Sequence, residues 1–179
     1  MAEEKQIVSE RDEIARVINR IARVIVEKAG EPDDLVLVGI RSRGAHLARR
    51  IAKKIDETTK MRPTIAIIDV TPYRDDRTQE QPLPATGAFE ASVAVDEKTV
   101  VLIDDVIYRG RTIRAAMEAV ARMGQPKRIL VAALVDRGAR ELPIRADIVG
   151  KNIDAQDNER VNVRLEEADG IDQITLTRW

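Results

Sequence analysis

The residues with the clearest chemistry lie in one short stretch of the chain, residues 101–113. An apolar run is followed by two adjacent carboxylates, Asp104 and Asp105, and then by a short loop that contains Gly110. A helical pattern starts near Thr112. The order predicts a strand, an acidic pair, an anion-binding loop and a helix.

This order suits a phosphorylated sugar. Unpaired backbone N–H groups at the start of a helix attract a phosphate, and the helix dipole adds to that attraction. Gly110 lets the backbone turn tightly beside the anion, and Thr112 offers a hydroxyl donor. Arg109 and Arg111 supply positive charge. The acidic pair can accept hydrogen bonds from vicinal ribose hydroxyls or hold Mg²⁺ through oxygen.

Composition and missing motifs exclude or disfavour several other classes of site. The chain has no G-x-x-x-x-G-K-[ST] and no G-x-G-x-x-G motif, so neither a P-loop nor a dinucleotide fingerprint is supported. The absence of cysteine excludes disulfides, thiolate zinc sites and cysteine nucleophiles. His46 is the single histidine, which disfavours a catalytic triad or a multi-histidine metal site. Aromatic residues make up 2% of the chain, too few for a platform that stacks single-stranded RNA.

Charge and hydropathy bear on localisation. The net charge of −1 gives the chain no overall field toward nucleic acid or an anionic membrane. The first six residues contain no apolar signal core, and no apolar run approaches the roughly 18 residues of a transmembrane helix. We therefore expect a cytoplasmic protein that does not associate with membranes.

Apolar spacing predicts alternating helices and strands over most of the chain. The predicted helices are 10–28, with a capping box from Ser9 to Asp12, a helix with Leu47, Ile51 and Ile55 on one face, and 111–123. The predicted strands are 35–40, 64–69, 99–103 and 128–135. Short apolar strands that alternate with helices are typical of a parallel sheet buried on both faces, with right-handed crossovers.

Four polar segments start at one edge of this predicted sheet. They are Arg41–Gly44, the loop 70–97, the loop after Asp104, and Asp136–Gly138. Ligands of such sheets bind beyond the carboxyl ends of the strands, so we expect a site there. The loop 70–97 is rich in proline and charge, and a long irregular segment inside a compact domain is typical of a functional lid.

The C-terminal part of the chain predicts a smaller β-rich unit. Short strands are expected near 147–150, 161–166 and 172–177, with a hairpin turn centred on Asp169–Gly170. We interpret this region, about 136–179, as a hood over the site. The whole chain, 1–179, is then one domain.

The segment Val101–Ile113 closely resembles the phosphoribosyl pyrophosphate signature of type I phosphoribosyltransferases. Further segments resemble the bifunctional pyrimidine operon regulator and uracil phosphoribosyltransferase family, and together they cover nearly the whole chain. These segments are Val38–Gly44, Asp69–Asp76, Val135–Asp147 and Val149–Asn152, with Arg-Glu-Leu-Pro-Ile-Arg at 140–145 the most characteristic part. The resemblance implies the α/β fold of type I phosphoribosyltransferases: a parallel sheet with flanking helices, a long lid loop and a small β-rich hood.

The resemblance also implies two activities. Uracil and phosphoribosyl pyrophosphate would react to give UMP and pyrophosphate, with Mg²⁺ as cofactor. The nucleotide-bound protein would bind the leader of pyrimidine operon mRNA and promote termination of transcription. Family members form homodimers or homotetramers, and the same is expected of this chain.

Carried onto this sequence, the resemblance assigns roles to individual residues. Asp104 and Asp105 would hold the ribose diol and the Mg²⁺, and Arg74 on the lid would close over the pyrophosphate. Further substrate contacts would come from Arg41, Ser42 and Arg43 at the pyrophosphate, from Val106, Ile107, Tyr108, Arg109, Gly110, Arg111 and Thr112 along the 5′-phosphate loop, and from Asp136, Arg137 and Val161 at the base. Arg20, Arg23, Arg140, Arg145 and Lys151 would form a basic RNA-binding face.

The chain departs from the family pattern at several positions. Arg109 stands where threonine is frequent, so the phosphate loop loses a hydroxyl and gains a cation. Asn19, Arg23, Ala139 and residues 153–158 also differ, and they bear on RNA binding more than on catalysis. Two alternatives stay open: an RNA-binding regulator with residual or no transferase activity, and a purine or orotate phosphoribosyltransferase without regulation.

Overall fold

The computed structural model describes residues 4–30, 34–70, 90 and 93–178. The described helices are α1 (Arg11–Ala29), α2 (Arg43–Thr59), α3 (Arg111–Met123) and α4 (Glu166–Asp169). The described strands are β1 (Glu4–Glu10), β2 (Leu35–Ile40), β3 (Thr64–Ile68), β4 (Thr99–Ile107), β5 (Arg128–Asp136), β6 (Ile148–Asn152), β7 (Glu159–Arg164) and β8 (Gln173–Arg178). Arg74 and most of the predicted lid, 70–97, lie outside the described residues.

Five strands form a parallel sheet in the order β3-β2-β4-β5-β6. Alternate residues of each strand point to opposite faces, so Leu35 and Leu37 pack with α1 and α2, while Val36 and Val38 pack with α3. Both faces are therefore covered, which explains why the strand sequences are continuously apolar. The predicted fold class is confirmed.

The other three strands form an antiparallel sheet in the order β1-β8-β7. From here on the hood means this sheet with α4, residues 4–10 and 159–178, because β6, which lies inside the expected range of about 136–179, belongs to the parallel sheet. Val161, Val163, Leu165 and Ile174 of the hood belong to the same apolar cluster as the buried faces of α1 and α2. The hood is thus joined to the parallel sheet by continuous apolar packing.

The predicted helix 10–28 is observed as α1 within one residue, but its predicted capping box, from Ser9 to Asp12, is wrong. β1 runs to Glu10, which precedes α1 without a side-chain cap hydrogen bond. Ser9 is buried, and its hydroxyl accepts a hydrogen bond of 3.0 Å from Lys151 Nζ. β1 itself was not predicted, because its mixed polar sequence becomes a strand through pairing with β8 at the far end of the chain.

Two further differences concern strands. β4 continues past the apolar run to Ile107, so both carboxylates lie inside the strand, because its ladder with β5 extends to the pair Ile107 and Asp136. β6, expected in the tail, adds to the edge of the parallel sheet beside β5. Strand length at the site is therefore set by the partner strand.

The predicted hairpin turn at Asp169–Gly170 is replaced by the short helix α4. Gly170 ends that helix in the left-handed region, with φ of 71°, and its N–H donates to the Glu166 carbonyl. A glycine at this position is favoured because a side chain there is strained. The connection between β7 and β8 is accordingly longer than a two-residue turn.

Arg50 on α2 ties the hood to the helical layer. Its guanidinium contacts Glu167 at 2.6 Å and Asp172 at 2.7 Å. Burial raises the pKa of Asp172, but hydrogen bonds from Arg50 and the Glu166 N–H outweigh that effect, and the net pKa is lowered. The ionised carboxylate is thus preferred in the folded protein.

No helix within the described ranges is both long enough and apolar enough to span a lipid bilayer.

We predict that Asp172→Asn lowers the free energy of unfolding at pH 7 by about 1–3 kcal/mol, because Arg50 loses a buried ionic partner. The folded pKa of Asp172 lies below its unfolded value, so its stabilisation is present at neutral pH and is lost as the pH falls below about 4. Urea denaturation at a series of pH values should show the two proteins converging in acid. Glu57→Gln, which breaks an exposed pair with Lys54, is the control and should change stability little. Equal stability of Asp172→Asn and the unsubstituted protein at pH 7 would contradict the prediction.

Candidate active site

The carboxyl ends of neighbouring strands bring three predicted segments together. The start of α2 lies against β4, since a Cβ added to Gly44 would be 2.4 Å from the Ile103 carbonyl. The Arg41 N–H donates to the Ile68 carbonyl at the end of β3, at 2.9 Å. The Arg137 N–H donates to the Ile107 carbonyl at 3.0 Å. The peptide bond between Arg41 and Ser42 is cis.

The acidic pair lies at the centre of this edge. Asp104 is 6% exposed, Asp105 is half-buried, and the Asp105 N–H donates to the Asp104 carboxylate at 2.9 Å. Burial, followed by the charge of Asp105, raises the pKa of Asp104 well above its usual range. A cation or a pair of sugar hydroxyls would relieve this repulsion.

A cavity of about 270 Å³ is lined by Asp104 and by residues 106–113. Asp105 is not among its lining residues. We call it the phosphate-side cavity. Gly110, at its floor, precedes α3 with φ of 93° and without a side-chain cap hydrogen bond. The first N–H groups of α3 therefore lack a capping side chain, as an anion cradle requires. Thr112 is half-buried at the same place.

A second cavity of about 330 Å³ lies under the hood. We call it the hood-side cavity. Its walls are Arg43, Asp105, Asp169 and the β7 residues 160–164, which include Val161. Because Asp104 lines one cavity and Asp105 the other, the acidic pair marks the boundary between them.

The arginines of both predicted phosphate loops are paired with carboxylates. Glu141 forms ion pairs with Arg109 at 3.2 Å and with Arg111 at 2.8 Å, one through each carboxylate oxygen. In the loop after β2, Arg41 pairs with Glu90 and Arg43 pairs with Asp169. Each guanidinium is thus held near the site before any phosphate arrives.

Tyr108 lies near two guanidinium groups. The Arg137 guanidinium carbon is 3.8 Å from the ring centroid, and that of Arg109 is 5.0 Å away. Interaction of the hydroxyl with Arg109, and then with Arg137, lowers the pKa of Tyr108. Arg109, which departs from the family pattern, therefore contacts the Tyr108 ring beside the phosphate-side cavity.

Arg137 has hydrogen-bonding capacity left over. Its Nη2 donates to the carbonyls of Gln156 at 3.0 Å and Glu159 at 2.7 Å, which ties β5 to the segment before β7. Its Nε and Nη1 are buried and find no hydrogen-bond partner within the described ranges. Since buried donors are normally satisfied, these two atoms are candidates for contact with a bound ligand.

Asp136 has a structural function in the same turn. Its carboxylate accepts from the Gly138 N–H at 2.8 Å and from Arg140 at 2.6 Å. Arg140 also donates to the carbonyls of Tyr108 and Ile144, both at 2.8 Å. These bonds fix the turn that presents Arg137.

The predicted RNA-binding residues do not share one environment. Arg23 on α1 and Arg145 are exposed. Arg20 is exposed but donates to the Val149 and Gly150 carbonyls, on the edge strand β6. Arg140 is half-buried in the turn just described, and Lys151 pairs with Glu13 at 2.7 Å.

The acidic pair fits a divalent cation. Within the part of the chain that the structure describes, no three metal-ligating side chains cluster together. Asp104 and Asp105 nevertheless supply the carboxylate oxygens that Mg²⁺ prefers, and their mutual repulsion favours a cation. With two protein ligands, the remaining positions would belong to water and a phosphorylated substrate.

The structure brings most of the predicted site residues to one edge of the sheet, together with acidic partners that were not predicted. Glu90, Glu141 and Asp169 were given no role, although each pairs with an arginine of a predicted phosphate loop. Glu141 lies inside the characteristic 140–145 segment, which was a usable signal. Asp169 lies 126 residues from Arg43 and is brought to it by the hood. Arg74 lies outside the described residues.

Known proteins match nearly the whole chain. Residues 6–169 match the phosphoribosyl transferase domain family. The chain is 50% identical to the bifunctional protein PyrR of Chloroflexus aurantiacus over 99% of its length and 97% of that protein. It is 46% identical to the PyrR protein of Streptomyces coelicolor over 97% of its length and 90% of that protein.

Solved structures show the same fold. A hypoxanthine-guanine phosphoribosyltransferase from Bacillus anthracis superimposes with a TM-score of 0.71 at 16% identity, covering 98% of this chain and 99% of that one. The hypoxanthine phosphoribosyltransferase of Trypanosoma cruzi also gives a TM-score of 0.71 at 16% identity, with 97% and 96% covered. At such low identity the likeness concerns the fold alone.

We predict that Asp104→Asn raises the free energy of unfolding of the ligand-free protein at pH 7 by about 1–2 kcal/mol, because it removes a buried charge next to a second carboxylate. The amide oxygen can still accept the bond from the Asp105 N–H. Denaturant titration in the presence of a chelator measures the effect. Asp154→Asn, at an exposed position, should leave stability unchanged. A less stable Asp104→Asn protein would show that the carboxylate is satisfied in the folded state.

Proposed function

Since the chain belongs to the phosphoribosyl transferase domain family, and within it to the bifunctional PyrR proteins, we propose that it transfers a phosphoribosyl group from phosphoribosyl pyrophosphate to uracil and regulates pyrimidine gene expression. The observation that carries the enzymatic part is the acidic pair between two cavities. One cavity opens on the uncapped start of α3, and the other is lined by Arg43 at the start of α2 and by residues of the hood.

This layout suits displacement at an anomeric carbon. The reaction breaks the bond to pyrophosphate and forms a bond to a ring nitrogen of the base, through a state with positive charge on the ribose ring. The proton of that nitrogen leaves to the departing pyrophosphate or to water. Little covalent help is needed, so positioning and charge stabilisation dominate catalysis. The start of α3, with Gly110 and Thr112, would hold the 5′-phosphate. Asp104 and Asp105 would hold the ribose hydroxyls and stabilise the developing positive charge.

The pyrophosphate leaving group and the Mg²⁺ would lie on the hood side of the acidic pair. Arg41, Ser42 and Arg43 would bind the pyrophosphate and neutralise its charge as it departs. Mg²⁺ held by Asp104 and Asp105 would supply charge stabilisation for the pyrophosphate when bound. Arg74, as a lid residue, would cover the pyrophosphate and exclude water.

The base would lie near Arg137 and Val161. Besides the ring nitrogen that bonds to ribose, uracil has two carbonyl oxygens and one further ring N–H, so a site with free donors beside backbone groups can read it. The buried Nε and Nη1 of Arg137 are donors of the required kind. Val161 is buried and offers an apolar wall to the ring.

The regulatory part of the proposal is binding of a pyrimidine operon mRNA leader by the UMP-bound protein, as a homodimer or homotetramer. RNA hairpins are recognised through phosphates and exposed loop bases. Arg23 and Arg145 support this interaction best, because they are exposed. Arg140 and Lys151 are bonded within the protein and would act by shaping the surface.

The enzymatic proposal is tested by supplying phosphoribosyl pyrophosphate with uracil, hypoxanthine, guanine or orotate in separate reactions. We expect pyrophosphate release with uracil, dependent on Mg²⁺, and little with the other bases. Asp105→Asn should lower kcat/KM at least about 100-fold, because the diol and the metal lose a ligand. Turnover of a purine or orotate in preference to uracil would assign the site to a different base.

The regulatory proposal is tested by binding a pyrimidine leader hairpin and a scrambled hairpin over a range of salt concentrations. We expect UMP to strengthen binding of the leader, and affinity to fall steeply with salt. Arg23→Ala and Arg145→Ala should each reduce the salt slope by about 1, whereas Lys53→Ala, at a position 76% exposed on α2, should not. Equal binding of the leader and the scrambled hairpin would contradict the proposed regulatory function.

A further inference from the structure

Arg43 makes a bidentate ion pair at the border between the parallel sheet and the hood. Its Nε lies 3.1 Å and its Nη2 2.8 Å from the two carboxylate oxygens of Asp169. This is the bidentate geometry in which arginine holds a carboxylate most strongly. Arg43 opens α2 directly after the loop proposed to bind pyrophosphate, whereas Asp169 ends α4 in the hood.

Hydrogen bonds to Leu165 hold Asp169 in place independently of Arg43. Its carboxylate accepts the Leu165 N–H at 2.9 Å, and its own N–H donates to the Leu165 carbonyl at 2.7 Å. The left-handed Gly170 ends the helix immediately after it. The acid is therefore a rigid support, and its orientation does not depend on the arginine.

The pair leaves part of the guanidinium available. A bidentate contact through Nε and Nη2 uses one edge of the planar group, and Nη1 lies on the other side. Arg43 and Asp105 both line the hood-side cavity, and the charge of Asp105 also acts on Arg43. A phosphate in that cavity can thus meet Nη1 while Asp169 keeps the opposite edge.

We propose that Asp169 is a positioning residue of the transferase reaction, which holds the Arg43 guanidinium in the hood-side cavity for the pyrophosphate group of the substrate. The inference rests on the proposed function, because it takes Arg43 as a pyrophosphate ligand. It assigns to the hood a part in binding the leaving group in addition to covering the base. Without Asp169, Arg43 would spread over several rotamers, and ordering it would oppose substrate binding.

The hood offers a matched control for this role. Glu167, two residues before Asp169, makes a bidentate pair with Arg50 at 2.8 and 2.6 Å, also between α4 and α2. Arg50 keeps its second partner, Asp172, when Glu167 is changed. Glu167→Gln therefore removes an equivalent hood-to-helix ion pair that does not involve the pyrophosphate loop.

The test compares steady-state kinetics and calorimetric binding of phosphoribosyl pyrophosphate for Asp169→Asn, Asp169→Glu and Glu167→Gln. We expect Asp169→Asn to raise KM for phosphoribosyl pyrophosphate about tenfold, with kcat and KM for uracil within about twofold. Asp169→Glu should recover part of the loss because it keeps the charge, and Glu167→Gln should behave like the unsubstituted protein. In an Arg43→Ala background, Asp169→Asn should have no further effect.

Several outcomes would overturn the inference. An unchanged KM in Asp169→Asn would show that Arg43 needs no support, and a lower KM would show that the carboxylate competes with the ligand. Equal losses in Asp169→Asn and Glu167→Gln would indicate general loosening of the hood, which melting temperatures would also reveal. If the protein binds phosphoribosyl pyrophosphate but does not use uracil, the proposed function fails while calorimetry still decides the role of Asp169.

Discussion

Two carboxylates are held side by side at the end of a buried strand, and the rest of the site is arranged around that unfavourable contact. Asp104 is buried against Asp105, which raises the pKa of Asp104. Folding alone would not favour such a pair, since each charge loses solvation and repels the other. The arrangement becomes favourable when a cation or vicinal hydroxyls arrive, so its cost in the free protein is a mark of function.

The ladder between β4 and β5 makes the pair possible. β4 continues through both acids because β5 supplies backbone partners as far as Asp136. Alternation along the strand then sends neighbouring side chains to different sides, and the two acids border different cavities. The start of α3 provides anion-binding N–H groups on one side, and the arginine loop with the hood provides cations on the other.

Positive charge at the site is held in place by acids that do not belong to the reaction centre. Glu141 supports Arg109 and Arg111, and Asp169 supports Arg43. Ion pairs that are partly exposed contribute little to stability. Their value here is geometric, because an arginine with four rotatable side-chain bonds is costly to order at the moment of binding. The departure at Arg109 fits this scheme, since the arginine shares its acid with Arg111 and contacts Tyr108.

Elements whose signal is local could be predicted from residue types and their spacing. Apolar strands and amphipathic helices gave the parallel sheet, and the run from Asp104 to Thr112 gave the acidic pair and anion loop, because their residue types and spacing carry the chemistry. Features that depend on partners distant in the chain follow only from the tertiary structure. β1 is a strand because β8 pairs with it, the Ser9 hydroxyl accepts a hydrogen bond from Lys151 instead of capping a helix, and Asp169 reaches Arg43 because the hood folds back. Such contacts join segments more than a hundred residues apart, and no local pattern encodes which pairs will meet.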